Sequence, residues 1–217
     1  MEKLGIQILI LGIFTGTTFP GIVTEAEEGY TDSTGYILAK KAKGIELYEK
    51  WIDISSELKA REVKVVYTVQ ATMESAAALL DNEAKAIHWN KGSRLYRIIP
   101  MDDNSWGSYI QYDLPWPLDN QDCVLQYNAY YLAYDTIVID FRSVDHEIFP
   151  ALKNMSRLDK VKGSWTFKET PNGTRVEYLI TTTPSTTLPR WVSDPIVRNN
   201  LIDTMDEFRN ILEVIKN

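Results

Sequence analysis

The segment that decides the fold lies at the C-terminal end of the chain and reads SDPIVRNNLIDTMDEFRNILEVI, residues 193–215. Apolar side chains recur in it at steps of three or four residues, at Val197, Leu201, Met205, Phe208, Leu212 and Ile215. Such steps place side chains on one face of an α-helix, and acidic side chains occupy the opposite sides. The segment therefore predicts an amphipathic helix of about five or six turns, which begins either at Pro189 or at residues 193–195.

Most of the chain before this helix has the pattern of β-strands. Aromatic and β-branched residues are frequent there, and turn residues separate the apolar runs. The strongest turn signal is Pro171-Asn172-Gly173. We predict strands at Ile45–Glu49, Leu58–Val69, Ser93–Ile99, Ser105–Leu114, Asp122–Tyr134, Thr136–Ser143, Lys160–Lys168 and Thr174–Thr182. We predict short helices at Tyr36–Lys43, Met73–Leu80 and Asn82–His88.

This order of elements predicts an α+β domain. A long antiparallel sheet buries one of its faces, and the C-terminal helix is the only large amphipathic partner in the sequence. The sheet is therefore expected to curl around that helix.

Several short motifs make this prediction more specific. In chain order they are GIELY (44–48), DLPWPLDNQD (113–122), GSWTF (163–167), GTRVEY (173–178) and LPRWV (188–192). They resemble, in the same order, motifs of START domains, the steroidogenic-acute-regulatory-related lipid-transfer family, and the resemblance runs from about Gly35 to the C-terminus. It implies a helix-grip fold, with a curved antiparallel sheet wrapped around the C-terminal helix and an internal apolar cavity between them. Gln121 stands where the family often has Arg, so a salt bridge from that Arg is not expected here.

Composition excludes several classes of protein. The chain has 217 residues, of which 44% are hydrophobic, with six Trp and twelve Tyr, so it can bury a core and is not a disordered chain. Lys and Arg number 23 against 30 Asp and Glu, for a net charge of −7, which argues against a nucleic-acid-binding protein. The single cysteine, Cys123, forms no internal disulfide and no cysteine-rich metal site.

The first 26 residues are predicted to form a signal peptide. An apolar run from Leu4 to Phe14 follows Lys3, and a stretch rich in Thr, Gly and Pro leads to Ala26. The run is shorter than the roughly 20 residues that a transmembrane helix needs. We therefore expect a mature START-like domain of residues 27–217 that is exported, either periplasmic or secreted. An uncleaved membrane anchor and a buried N-terminal helix are the alternatives.

The sequence contains no recognisable catalytic or metal-binding motif. His88 and His146 lie far apart, and His146 sits in a polar segment that we interpret as a solvated loop. Cys123 lies in an apolar run without a basic neighbour, which is typical of a buried structural thiol. Asp119 and Asp122 flank a turn and are interpreted as turn-stabilising residues. We predict no catalytic residue, no metal and no cofactor.

Aromatic density on the strands is the strongest functional signal. Tyrosine has an apolar body and a polar tip, which suits a cavity for an amphipathic molecule. Because strand side chains alternate between faces, about half of these residues must point away from the concave face. The resemblance places the C-terminal helix over the cavity. The predicted ligand-binding residues are Tyr112, Tyr127, Tyr131, Trp165, Tyr178, Trp191, Val197, Leu201, Met205 and Phe208.

These observations predict noncatalytic binding or transfer of a lipid or another small hydrophobic ligand. Transient membrane contact is compatible with this function, and no nucleic-acid partner is expected. One alternative is an enzyme of the helix-grip superfamily, such as a cyclase or hydrolase acting on a hydrophobic substrate. Another is a structural or partner-binding domain whose interior is filled by its own side chains.

Overall fold

The structure, a computed structural model, describes residues 33–53, 59–114, 116, 119–182 and 190–214, without the side chains of residues 190–192. The predicted signal peptide, residues 1–26, lies outside the described residues.

A single ten-stranded sheet forms the body of the described chain, and every strand pair in it is antiparallel except β6 with β8. The strands are β1 (Ile37–Ala42), β2 (Ile45–Asp53), β3 (Lys59–Val69), β4 (Ser93–Asp102), β5 (Ser105–Tyr112), β6 (Gln121–Ala133), β7 (Thr136–Ser143), β8 (Ser156–Arg157), β9 (Val161–Thr170) and β10 (Gly173–Thr182). The helices are α1 (Met73–Ala77), α2 (Glu83–Trp89) and α3 (Arg190–Val214). The strand order is β1-β2-β3-β10-β9-β7-β6-β5-β4.

The C-terminal helix α3 covers the concave face of the sheet, as its periodicity predicts. Its buried apolar side chains are Ile202, Met205, Phe208 and Leu212, at steps of three and four. The helix begins at Arg190, so Pro195 lies inside it rather than at its start. No helix in the described part of the chain is both long enough and apolar enough to span a membrane.

The first predicted element is wrong: residues 37–42 form strand β1, not a helix. Ala42 pairs with Ile45, which leaves Lys43 and Gly44 as the two turn residues between β1 and β2. Both have positive φ, at 55° and 72°. A two-residue turn with two positive φ angles matches the twist of a β-hairpin. Gly44, which directly follows the predicted helix, is therefore a hairpin residue.

Gly163 shows how closely the concave face is packed. A Cβ atom at this position of β9 would lie 2.0 Å from the carbonyl oxygen of Leu179 and 2.5 Å from the ring of Phe141. No side chain fits there, so glycine is required by the close approach of its neighbours and not by its φ angle. The Phe141 ring occupies the space instead and joins the aromatic interior.

Candidate functional site

Three aromatic rings meet between helix α3 and the centre of the sheet. Phe208 of α3 lies 5.2 Å from Trp165 of β9 and 5.2 Å from Trp89 at the end of α2, measured between ring centroids. The two tryptophans are 6.1 Å apart in an edge-to-face arrangement. All three side chains are buried. Because the rings come from three separate elements, their contacts hold α2 and α3 against the sheet.

The aromatic contacts continue across the concave face towards β5. Tyr178 lies 4.5 Å from Trp165 and stacks on Phe141 at 5.9 Å. Phe141 in turn contacts Tyr127, and Tyr127 stacks on Trp106 at 5.0 Å with the rings nearly parallel. This arrangement gives the interior a continuous aromatic surface, which is the kind of surface that binds apolar or ring-containing molecules.

Phenol groups supply the polarity of this interior. Ser108 donates a hydrogen bond to the hydroxyl of Tyr127 at 3.3 Å, and Asn90 donates one to Tyr112 at 3.2 Å. Burial raises the pKa of Tyr112 and Tyr127 well above the usual range and raises the pKa of Tyr96 to about 12. Burial also raises the pKa of Tyr178. These phenols therefore stay protonated and uncharged near neutral pH.

Two indole N–H groups are buried without a hydrogen-bond partner. They are the Nε1 atoms of Trp89 and Trp106. The Trp89 side chain belongs to the aromatic cluster under α3, and Trp106 stacks on Tyr127. A buried indole N–H normally finds an acceptor, so an unpaired one calls for an explanation.

A network of four charged side chains clamps the first part of α3 to the sheet. Arg198 donates two hydrogen bonds to Glu49 of β2, both at 2.8 Å. Arg61 of β3 also pairs with Glu49, and its Nη1 donates to Asp194 at 3.2 Å. Burial raises the pKa of Glu49, but the hydrogen bonds from Arg198 and Arg61 lower it by more, so its pKa lies below the usual value. No local sequence pattern indicates this network, because its members are up to 149 residues apart.

Asp122 belongs to a buried ion pair, and its role differs from the predicted turn stabilisation. It is fully buried and accepts hydrogen bonds from Arg157 at 2.8 and 2.9 Å and from the Tyr109 hydroxyl at 3.1 Å. Arg157, which forms part of the unpredicted strand β8, thereby ties the segment after β7 to the sheet. Phe149 of that segment stacks on Tyr109 at 4.3 Å.

Most of the predicted ligand-binding residues lie in the interior. Five are buried in the hydrophobic core: Tyr127, Trp165, Tyr178, Met205 and Phe208. Tyr112 and Leu201 are partly buried and pack against that core. Val197 is half-buried. Trp191 opens α3, but its side chain lies outside the described residues.

Tyr131 is a correction, because its side chain is 64% exposed and does not reach the interior. It shares a face with Tyr127 by alternation, as predicted, but the pairing of β5 with β6 ends at Ser105 and Asn128. Ala129 still packs against the core, but Tyr131 lies beyond the end of β5, near the tip of the β6–β7 hairpin. Alternation predicts which face a side chain shares, whereas the length of the neighbouring strands decides whether that face is covered.

Sequence reasoning missed Trp89, Tyr96 and Trp106 as interior residues. Trp106 and Tyr96 lie on strands that were predicted correctly, and alternation with Ser108 and Ile98 could have placed them on one face. Trp89 offered a weaker signal: an aromatic residue three positions after Ala86 on the apolar side of a short helix.

The described residues contain no group of three or more His, Cys, Asp or Glu side chains that could hold a metal ion. Burial raises the pKa of the Cys123 thiol to about 12, so the thiolate nucleophile is not available near neutral pH. His146 accepts a hydrogen bond from the backbone N–H of Ile148 at 3.3 Å, which is a local loop contact.

The part of the predicted internal cavity beneath Phe208 is filled by the protein's own rings. A groove of about 730 Å³ lies instead at the C-terminal end of α3 and includes residues of α1, the β9–β10 turn and Leu212. A second groove of about 530 Å³ lies beside Arg198 and includes Ile37, Ala39 and Trp51. A ligand that enters among Phe208, Trp89 and Trp165 therefore requires these described side chains or α3 to move.

Comparisons with known proteins agree with this architecture, although no family model matches the chain. An uncharacterized protein of Pseudomonas aeruginosa is 23% identical over 177 residues, which are 81% of this chain and 86% of the relative. The solved structure of a fragment of the STAR-related lipid transfer protein from Xanthomonas axonopodis is 24% identical, with a TM-score of 0.70, and covers 82% of this chain and 98% of that one.

More distant structures share the same fold. Human StAR-related lipid transfer protein 5 is 14% identical with a TM-score of 0.72, over 86% of this chain and 90% of that one. The Zhui aromatase/cyclase from Streptomyces sp. R1128 is 12% identical with a TM-score of 0.54, over 71% of this chain and 94% of that one. The chain therefore has the same helix-grip fold as these structures, which is the fold that its resemblance to START domains implied.

Proposed function

We propose that the protein binds, without catalysis, a lipid or another small hydrophobic molecule between the sheet and helix α3, and carries or transfers it. The observation that carries this proposal is the buried aromatic surface around Trp89, Trp165 and Phe208, which is joined to uncharged phenol groups. Two proteins of the same fold are named lipid transfer proteins, which supports the proposal.

The physical basis of binding is the transfer of apolar ligand surface out of water. Such transfer is favourable by about 25 cal/mol per Å². A ligand whose apolar surface takes the place of the ring–ring contacts gains the free energy of leaving water. It also forms hydrogen bonds with the phenol and indole groups. Polar groups fix the orientation of a ligand in a largely apolar site.

Access to the interior is proposed to involve the first half of α3. Val197 and Leu201 on this half are only partly buried, whereas Met205 and Phe208 on the second half are 1% and 0% exposed. Separating the second half from the sheet therefore exposes more apolar surface and costs more free energy. The first half is held largely by polar contacts, among them the hydrogen bonds of Arg198 with Glu49, of Arg61 with Asp194 and of Lys40 with Asn199. We therefore propose this half as the lid.

The proposal is tested by native mass spectrometry of the chain purified without detergent, followed by organic extraction of any bound molecule. A lipid-like species at about one per chain supports binding. A chain that carries nothing and takes up no member of a broad lipid panel contradicts the proposal, and favours a domain whose interior is filled by its own side chains.

A second candidate function is an enzyme acting on a hydrophobic substrate. It is favoured by the shared fold of the Zhui aromatase/cyclase and by the buried Tyr and Ser hydroxyls of the interior. Turnover that is lost in Tyr127→Phe while ligand binding is retained would support the enzyme. A bound molecule that is recovered chemically unchanged after long incubation would support the carrier.

We further propose export of residues 27–217 after removal of the N-terminal segment. The support is the apolar run behind Lys3 in the sequence. Cell fractionation with N-terminal sequencing of the purified protein tests this: a cytoplasmic chain that begins at Met1 would contradict it.

A further inference from the structure

The unpaired indole N–H of Trp89 points to the chemistry of the ligand. The Trp89 side chain is 4% exposed, and its Nε1 atom has no hydrogen-bond partner. Burying a donor without an acceptor costs free energy, and native proteins rarely leave one unpaired. A binding site in which the ligand supplies the acceptor removes this cost.

The position of Trp89 fits this role. Its ring contacts Phe208 of α3, Trp165 of β9 and Tyr96 of β4, so it lies where the helix, the sheet centre and the sheet edge meet. Lys91, two residues after Trp89, forms hydrogen bonds with Asn200 and Thr204 of α3, so this end of α2 lies against the middle of the helix, next to the half proposed to open. An oxygen atom on the ligand would then supply the acceptor that the Trp89 N–H lacks, and would not have to displace an acceptor that belongs to the protein.

The other polar groups of the interior are uncharged. They include the phenols of Tyr67, Tyr96, Tyr112, Tyr127 and Tyr178, the indole of Trp106, the hydroxyl of Ser108, the amide of Asn90 and the thiol of Cys123. Burial raises the pKa values of the five phenols and of the thiol, so none of these groups is ionised near neutral pH. Such groups solvate a neutral oxygen well but supply no countercharge to an ion.

The buried charges in the described chain are already paired. Asp122 is bound by Arg157. Arg61 and Arg198 each pair with both Glu49 and Asp194, in a network of two cations and two anions. An anionic head group would enter this interior as an uncompensated buried charge, which is strongly unfavourable.

Building on the proposed function, we propose that the interior selects an uncharged amphiphile with an oxygen acceptor, such as an ester, ketone or alcohol, and that the indole N–H of Trp89 donates to that oxygen. Molecules with an ionised head group are excluded. Trp89 is then a specificity-determining residue for the ligand.

The test compares matched neutral and ionised molecules on the same skeleton. The two pairs are hexadecanoic acid with its methyl ester, and a steroid carboxylic acid with its methyl ester, each delivered from cyclodextrin near neutral pH, where the acids are ionised. We expect the ester of at least one pair to bind about tenfold or more tightly than its acid. If the acid binds as tightly as its ester in every pair that binds, the inference is overturned. Arg61, whose Nε is buried without a partner, would then be the candidate to bind the carboxylate. Failure of all four molecules and of the broad lipid panel contradicts the proposed function itself.

The role of Trp89 is tested by Trp89→Phe, which removes the N–H and keeps a ring. We expect ester binding to weaken by about two- to tenfold, the range of one hydrogen bond, with little change for a hydrocarbon of the same length. Trp116→Phe is the matched control, because Trp116 is 89% exposed. Equal ester binding by the folded Trp89→Phe variant and the unchanged protein would overturn the assignment of Trp89. The comparison of acids with esters uses the unchanged protein, so it does not depend on whether the Trp89→Phe variant folds.

Discussion

Replacing Phe208 with alanine tests whether helix α3 is seated on the sheet as the structure has it. The side chain is fully buried and its ring lies 5.2 Å from both Trp89 and Trp165 and 6.3 Å from Phe167. Phe→Ala substitutions at such sites cost about 3–5 kcal/mol, since transfer free energy is lost and a cavity remains. For a chain of this length, about 1 kcal/mol shifts Tm by about 2–4 °C. We therefore expect Phe208→Ala to lower Tm by about 6–20 °C.

The measurement is thermal and urea unfolding of Phe208→Ala beside Phe149→Ala. Phe149 stacks on Tyr109 at 4.3 Å, but its side chain is only half-buried, so its loss should cost less than about 2 kcal/mol. A loss below about 1 kcal/mol for Phe208→Ala, with an unchanged dependence on urea, would refute the packing of α3 on this ring cluster.

Three further predictions concern the interior, the ion pair and the charge network. Leu201→Trp fills the partly buried face of α3 and should reduce bound lipid about tenfold in native mass spectrometry; undiminished loading of the folded variant would count against a site under this helix. Asp122→Asn should destabilise the protein by about 3 kcal/mol in urea, because Arg157 loses its buried carboxylate; equal stability would refute the ion pair. Because the pKa of Glu49 lies below its ordinary value of 4.5, its contribution to stability is complete above about pH 4.5 and is lost as the pH falls through the lower folded-state pKa. Glu49→Gln should remove this part of the acid profile, and a profile identical to that of the unchanged protein would contradict the role of Arg198 as its partner.

Local patterns predicted the fold well where each pattern repeats over many residues. The helical steps of α3 hold over several turns, and the β9–β10 hairpin has an unambiguous turn signal at residues 171–173. The prediction failed at β1, where a stretch with two lysines and two alanines carries little periodicity. There the pairing with β2, a contact with another element, outweighs the local preference.

The candidate site was predicted in outline and not in detail. Alternation grouped Tyr127 with Tyr131, but only the end of β5 at residue 105 shows that Tyr131 is uncovered. Likewise, a single Trp at the end of a short helix carries no sign that its indole will be buried without an acceptor. Such properties depend on what several elements place around one side chain.

The sequence by itself determined the class of this protein: an α+β domain of antiparallel strands with one long amphipathic helix, rich in aromatic residues and without catalytic or metal-binding motifs. These features depend on the periodicity of residues close together in the chain and on the overall composition, both of which can be read without the tertiary structure. The tertiary structure alone decided which strand face is concave, how Glu49 meets Arg198 across 149 residues, and where Trp89 is left unpaired. Such contacts join residues distant in the chain, so their energies arise only once the sheet has closed around the helix.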